Sequence, residues 1–337
     1  MLLCVQPKKK AFVQTLNRIG WSMFLFNGVF FATAYLMELI NVWGETNLTG
    51  RYNFAYILIK AAVSMWGYMF PFFVAGVFFL LLSRRSHTER IRFDTRFTPE
   101  FPLLILAGLA LITAGSYVNG IFSDLIGFSV PTDTNVTGSY DNVSSVILYM
   151  STAIAPAFAE EFLFRGVFYS NLRPYGRTQA VLISSLLFAL MHQNIDQLFY
   201  TFVAGIAMAL MYELTGSIWC SVIYHLINNE LAALFEIMAY GKVGEDTYVA
   251  MLVWDVIICA LGLAATILLI LHYRKKATDR GEKNGGEVFP RKNSPERYDA
   301  PLPAAVVVKG LLTPGIITFV SSVFAFLLLT WLLVLSL

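Results

Sequence analysis

The sequence predicts an all-α, polytopic transmembrane helix bundle with about nine spans and a cytoplasmic N-terminus, and three observations carry that reading. Hydrophobic residues make up 57% of the 337 positions and charged residues 14%, with a mean hydropathy of +0.64; ordinary soluble domains hold roughly 45–50% apolar residues. The apolar residues form continuous runs long enough to cross about 30 Å of hydrocarbon at about 1.5 Å per residue, not the alternating pattern of a membrane barrel. The basic residues gather on alternate connections. A water-soluble fold is excluded, because it could not hide so much apolar surface. The net charge of +2, with basic residues spaced between apolar runs, gives no basis for nucleic-acid binding.

The runs follow in order. The first, 19–41, comes after Lys8, Lys9, Lys10 and Arg18; it is too long, and lacks a small-residue cleavage site, for a signal peptide, so it reads as an anchor. The second, 54–82, is followed by Arg84, Arg85, Arg90, Arg92 and Arg96, and the third covers 102–127. The fourth, 145–171, is followed by Arg173 and Arg177; the fifth and sixth, 179–194 and 196–214, are short and share a boundary. The seventh and eighth cover 217–240 and 249–273. A polar segment of about 274–304, with the Gly, Pro and charge content of a disordered linker, separates them from the ninth run, 312–336. Nineteen of the 24 basic residues thereby fall on one side, and the opposite loops hold only Arg51 and Lys242. Retention of Lys and Arg in short cytoplasmic loops makes the N-terminus cytoplasmic, and an odd number of spans puts the C-terminus outside. The sequons at Asn47, Asn135 and Asn142 all fall in loops expected outside. The three cysteines, Cys4, Cys220 and Cys259, form neither a CxxC pair nor an even-numbered disulfide framework.

Ionisable groups inside spans are the informative residues of such a chain, because each costs several kcal/mol unless paired, hydrated or used. The fourth span carries Glu160, Glu161 and Arg165, the fifth ends in Phe188 and His192, and the seventh carries His225, Asn228, Asn229 and Glu230. Glu161 and Arg165 are four apart and meet on one helix face, in the favourable order for an ion pair. Glu160 is turned about 100° from Glu161 and has no comparable partner nearby in sequence, so one carboxylate is left for chemistry. His225 and Asn229 share a face, while Asn228 and Glu230 are expected to point away from it. Phe188 lies one turn before His192, where an aromatic edge can fix the imidazole. Counted from the cytoplasmic ends of the spans, Glu160, His192 and His225 lie about 17, 20 and 12 Å deep, which lets the three helices point at one chamber.

A carboxylate and an imidazole that share a water form a general base for attack on a carbonyl, and a second imidazole with a carboxamide can stabilise the oxyanion. This is amide hydrolysis without a nucleophilic side chain. The same chamber admits other uses. Glu, His and His are also zinc ligands; HExxH is absent and Asn is a poor zinc ligand, so a site without cofactor is preferred, with zinc left open. Buried carboxylates and histidines also serve proton-coupled transporters, although broken helices and inverted halves are not evident, and a non-catalytic membrane scaffold is a further alternative.

In order on successive membrane helices, EExxxR (Glu160, Glu161, Arg165), FxxxH (Phe188, His192) and HxxxN (His225, Asn229) resemble the CPBP family over about residues 145–273. That family includes CAAX prenyl endopeptidases of the Rce1 type and bacterial bacteriocin-processing and Abi proteins, classed as intramembrane glutamic endopeptidases. The resemblance implies that Glu160 and His192 hold and activate water and that His225 and Asn229 stabilise the oxyanion. Glu161, Arg165 and Phe188 would support the site. The expected substrate is a membrane-associated peptide or protein cut near the cytoplasmic face, with membrane lipid as the surroundings and a bacterial plasma membrane as the location. The expected organisation is 1–144 as N-terminal accessory spans, 145–273 as catalytic helical core, 274–311 as polar cytoplasmic linker and 312–337 as an additional C-terminal span.

Overall fold

The computed structural model describes residues 5–47, 53–83, 91–95, 97–126, 153–241, 245–279 and 302–336. Each expected apolar run that falls within them is helical, because lipid offers backbone N–H and C=O groups no partner other than the helix itself. Helices α1 (Val5–Asn47), α2 (Asn53–Leu82) and α3 (Phe101–Ile126) come first. At 43 residues α1 is about 65 Å long, so it extends well past the run 19–41 and beyond the hydrocarbon at its ends. Next comes a composite rod: α4 (Ala155–Glu161) runs into a π-helical stretch (Phe162–Tyr169), a short α turn (Ser170–Leu172) and a 3-10 turn (Arg173–Tyr175). A plain α-helix was expected here. The residues 145–152 of that run, and the sequons at Asn135 and Asn142, lie outside the described residues.

Helices α5 (Arg177–Met191), α6 (Ile195–Thr215), α7 (Ile218–Gly241) and α8 (Glu245–Asp279) follow. After residues that are not described, α9 (Ala304–Leu311) and α10 (Pro314–Ser336) close the chain. The expected linker is thus helical at both of its ends. Among the described residues, α1, α2, α3, α6 and α8 are long and apolar enough to cross a membrane, and α9 with α10, bent by 59°, adds a sixth candidate. At 15 residues α5 is about 22 Å long, short of the hydrocarbon thickness. Extended pairing among the described residues is limited to one bridge between Phe93 and Ser217.

The composite rod lies at the centre. It packs against α2 and α7 through α4 and against α2, α5, α6 and α7 through its π-helical stretch; Leu163, Phe164, Val167, Phe168 and Leu172 have no exposed surface. The π register is matched by Ser170 Oγ, which donates to the Arg165 carbonyl five residues back at 3.1 Å. Its end is pinned to α6 through Glu213, which accepts from Arg173 Nη2 at 2.7 Å and Tyr169 Oη at 2.5 Å and pairs with Arg177 at 3.4 Å. The start of α6 is capped by the Asn194 side chain, which accepts from the Asp196 N–H at 2.9 Å. From α3, Asn119 Oδ1 accepts the N–H groups of Phe199 and Tyr200, each at 3.1 Å. These bonds tie the rod and the start of α5 to α6, and α6 to α3; the EExxxR, FxxxH and HxxxN residues lie on the rod, α5 and α7.

Candidate active site

Glu160 and Glu161 close α4 at the junction with the π-helical stretch, a kind of irregularity frequent at functional sites. Both carboxylates are buried, and they face different neighbours, as their 100° separation on a helix requires. Glu161 Oε1 accepts from Arg165 Nη1 at 2.7 Å and from His225 Nδ1 at 2.9 Å, while Oε2 accepts from Ser221 Oγ. Arg165 Nη2 also donates to the Gly205 carbonyl at 3.0 Å, and the guanidinium stacks 4.7 Å over the Phe188 ring. The spacing of four had given the Glu161–Arg165 pair; His225, Ser221 and Gly205 are tertiary additions.

Glu160 has the partner that its own span could not supply. The hydroxyl of Tyr68, on α2, donates to Glu160 Oε1. The other oxygen, Oε2, is buried with no hydrogen-bond partner and lies 3.9 Å from His225 Nε2. That separation is longer than a direct hydrogen bond and is of the kind that a water can bridge.

The two imidazoles are fixed in the same sense. His192 Nδ1 lies 2.8 Å from the Phe188 carbonyl; a carbonyl only accepts, so Nδ1 carries hydrogen and the neutral ring has its lone pair on Nε2. His225 Nδ1 likewise faces a carboxylate oxygen. Phe188 sits between both rings, edge-on to His192 at 4.9 Å and to His225 at 6.0 Å, so its place in FxxxH orients two histidines and a guanidinium.

These groups meet at one cavity of about 570 Å³, lined by Glu160, Phe188, His192, His225 and Asn229 together with Tyr68. Glu161 and Arg165 stand behind that wall. Asn228, expected to point away, lines the cavity as well: it donates to Tyr200 Oη at 3.1 Å and to Asn229 Oδ1 at 3.2 Å. A cavity this broad is faced by neighbouring positions of one helix, which corrects the single-face reading; Glu230 is exposed. Among the described residues, no group of three or more His, Cys, Asp or Glu is arranged to hold a metal ion. The arrangement can place a water beside a carboxylate oxygen and an imidazole nitrogen, in a cavity walled by apolar and carboxamide side chains.

Fold and cavity together define a multi-pass integral membrane protein with a carboxylate–imidazole site inside its helix bundle. Residues 142–231 match the family described as Type II CAAX prenyl endopeptidase Rce1-like, so this segment is similar to that family. The match supports a CAAX-type intramembrane endopeptidase. No curated protein and no solved structure matches the chain.

Proposed function

We propose that the protein hydrolyses a peptide bond of a membrane-associated peptide or protein, near the cytoplasmic face, with a water activated by Glu160 and His192. The observation that carries this reading is Glu160 Oε2, a buried carboxylate oxygen without a partner on a residue that lines the same cavity as His192. An unpaired buried acceptor of this kind is costly and needs a use. Water held there gives its proton to the carboxylate or to His192 Nε2 as its oxygen attacks the carbonyl carbon. The oxyanion then accepts from the Asn229 amide and, when His225 carries hydrogen on both ring nitrogens, from its Nε2–H, the ring being held at Nδ1 by Glu161. Collapse breaks the C–N bond, and the stored proton passes to the leaving nitrogen, giving a carboxylic acid and an amine, which then exchange a proton to become carboxylate and ammonium.

The test compares terminal-peptide profiles of membranes carrying the native protein, Glu160→Gln and His192→Ala. Each variant is expected to insert and fold while cleavage falls by about 10²–10⁴-fold. Full cleavage by Glu160→Gln would remove Glu160 as the base, whereas terminal-peptide profiles that are the same with and without the native protein would leave the scaffold or transporter readings in possession. Cleavage by the native protein is expected to survive 1,10-phenanthroline; loss in the chelator, with recovery on added zinc, would make the site a metal centre instead.

A further inference from the structure

We propose that Tyr68 is a positioning residue for hydrolysis, its hydroxyl occupying Glu160 Oε1 so that water is engaged by Oε2 alone. The inference rests on Glu160 acting as the base. A carboxylate accepts and cannot donate, so the hydroxyl must be the donor in this contact. A free carboxylate turns about its terminal torsion and offers two equivalent oxygens. Here one is taken and the other is unpartnered, which fixes the plane of the group and the oxygen that faces the chemistry.

Tyr68 comes from α2, 92 positions away from Glu160 and outside the matched segment 142–231. It also lines the cavity. Aromatic packing holds its ring: Tyr68 lies 5.3 Å from Phe72, which packs edge-on to Phe26 of α1 at 4.7 Å. Pro71, inside α2, cannot donate to the Gly67 carbonyl, so on this turn of the helix the ring contacts help to set where the hydroxyl points. The first two helices therefore do more than anchor the chain; they complete the carboxylate.

The experiment uses the full-length protein in nanodiscs and a quenched synthetic peptide spanning the cleavage site found by the terminal-peptide comparison. Tyr68→Phe keeps the ring and removes one oxygen. Its kcat is expected to fall by about 10- to 100-fold, the range of a misplaced reacting group, with KM within about twofold of wild type and an unchanged thermal midpoint. Incorporation of 3-fluorotyrosine at position 68, which restores the hydroxyl, is expected to recover kcat. A Tyr68→Phe kcat equal to wild type overturns the proposal, as does an equal loss in the fluorotyrosine protein, which would assign the effect to ring packing. Failure of Tyr68→Phe to fold also overturns it, since the hydroxyl would then be holding the bundle. Glu160→Gln, run alongside, separates the two readings: full activity there removes the base itself, whereas an inactive Glu160→Gln beside a fully active Tyr68→Phe removes only the role of Tyr68.

Discussion

Glu161 and His225 are joined by a contact of 2.9 Å between Oε1 and Nδ1, on the same oxygen that accepts Arg165 at 2.7 Å. The carboxylate therefore does two jobs: it neutralises a buried guanidinium, and it holds an imidazole with Nε2 turned towards Glu160.

The two jobs separate by mutation. Glu161→Ala leaves Arg165 buried and unpaired and is expected to destabilise the protein by about 3–5 kcal/mol. Arg165→Met combined with Glu161→Gln removes the charge problem and is expected to recover most of that loss in thermal unfolding. Cleavage should stay low in the double variant, because an uncharged amide orients His225 less firmly. Recovery of activity together with stability would show that Glu161 serves only the ion pair.

Glu100, just before α3, gives a pH-dependent contact between helices. Burial acts to raise its carboxyl, but its own backbone hydrogen bond, Lys276 and His272 outweigh that and bring it below the usual carboxylate range. His272 Nε2 lies 3.0 Å away and Lys276 Nζ 3.6 Å away, both on α8. A group whose folded pKa is depressed adds stability above its unfolded pKa and loses it as pH falls through the folded value. Glu100→Gln is therefore expected to cost about 0.5 kcal/mol at neutral pH, and the gap to wild type should close as the solution is acidified below the ordinary carboxylate range. A gap that persists in acid would mean that the side chain acts through packing and not through charge.

Local spacing made one part of this site legible and left another hidden. Pairs four residues apart on one helix, Glu161 with Arg165 and Phe188 with His192, were readable because a helix fixes their geometry without reference to the rest of the chain. The contact of Tyr68 with Glu160 had no such signal, since a tyrosine in an aromatic-rich span looks like packing material until α2 is laid against α4. Asn228 is not readable from helix spacing, because the cavity is broader than one helix face and both Asn228 and Asn229 line it. The π-helical stretch over Phe162–Tyr169, which packs against α2, α5, α6 and α7, has no counterpart in apolar periodicity. For the fold, continuous apolar runs located the helices, while the bend between α9 and α10 depends on packing against α1.

The contact of α1 with α10 is made by backbone. A Cβ on Gly20 would lie 2.2 Å from the Gly315 carbonyl carbon, and one on Gly315 would lie 2.1 Å from the Asn17 carbonyl oxygen. Asn17 Oδ1 accepts the Gly315 N–H at 2.8 Å across the same crossing. Small residues permit this approach, which is how helices gain contact in lipid. Gly20→Ala is expected to push the helices apart and cost about 1–3 kcal/mol. Gly28→Ala on the same helix, where a Cβ meets nothing within 4 Å, should be neutral or stabilising by up to about 1 kcal/mol. Equal thermal midpoints for the two variants would contradict a backbone-limited crossing.

The residue after His192 is held from the far ends of the chain. Gln193, at φ 49°, is the one non-glycine residue in the left-handed region among those described, a conformation that costs a side-chain-bearing residue roughly 1–2 kcal/mol. Its Nε2 donates to Asn27 Oδ1 at 3.0 Å, and Asn27 Nδ2 donates to Ser322 Oγ of α10 at 2.8 Å. The strained turn that ends α5 at His192 is thus tied to α1 and, through it, to α10. Asn27→Ala should cost about 1–3 kcal/mol by leaving the Gln193 amide unpaired, and it should lower cleavage by letting the turn relax beside the imidazole. Gln193→Gly adopts the same backbone without strain and needs no amide tie. In that background, Asn27→Ala should therefore cost less in both stability and activity than it does in the wild type, a non-additivity that a double-mutant cycle measures directly. Strictly additive losses would mean that the link from Asn27 to Gln193 does not hold the turn, and that His192 is kept in place by its bond to the Phe188 carbonyl and by the Phe188 ring alone.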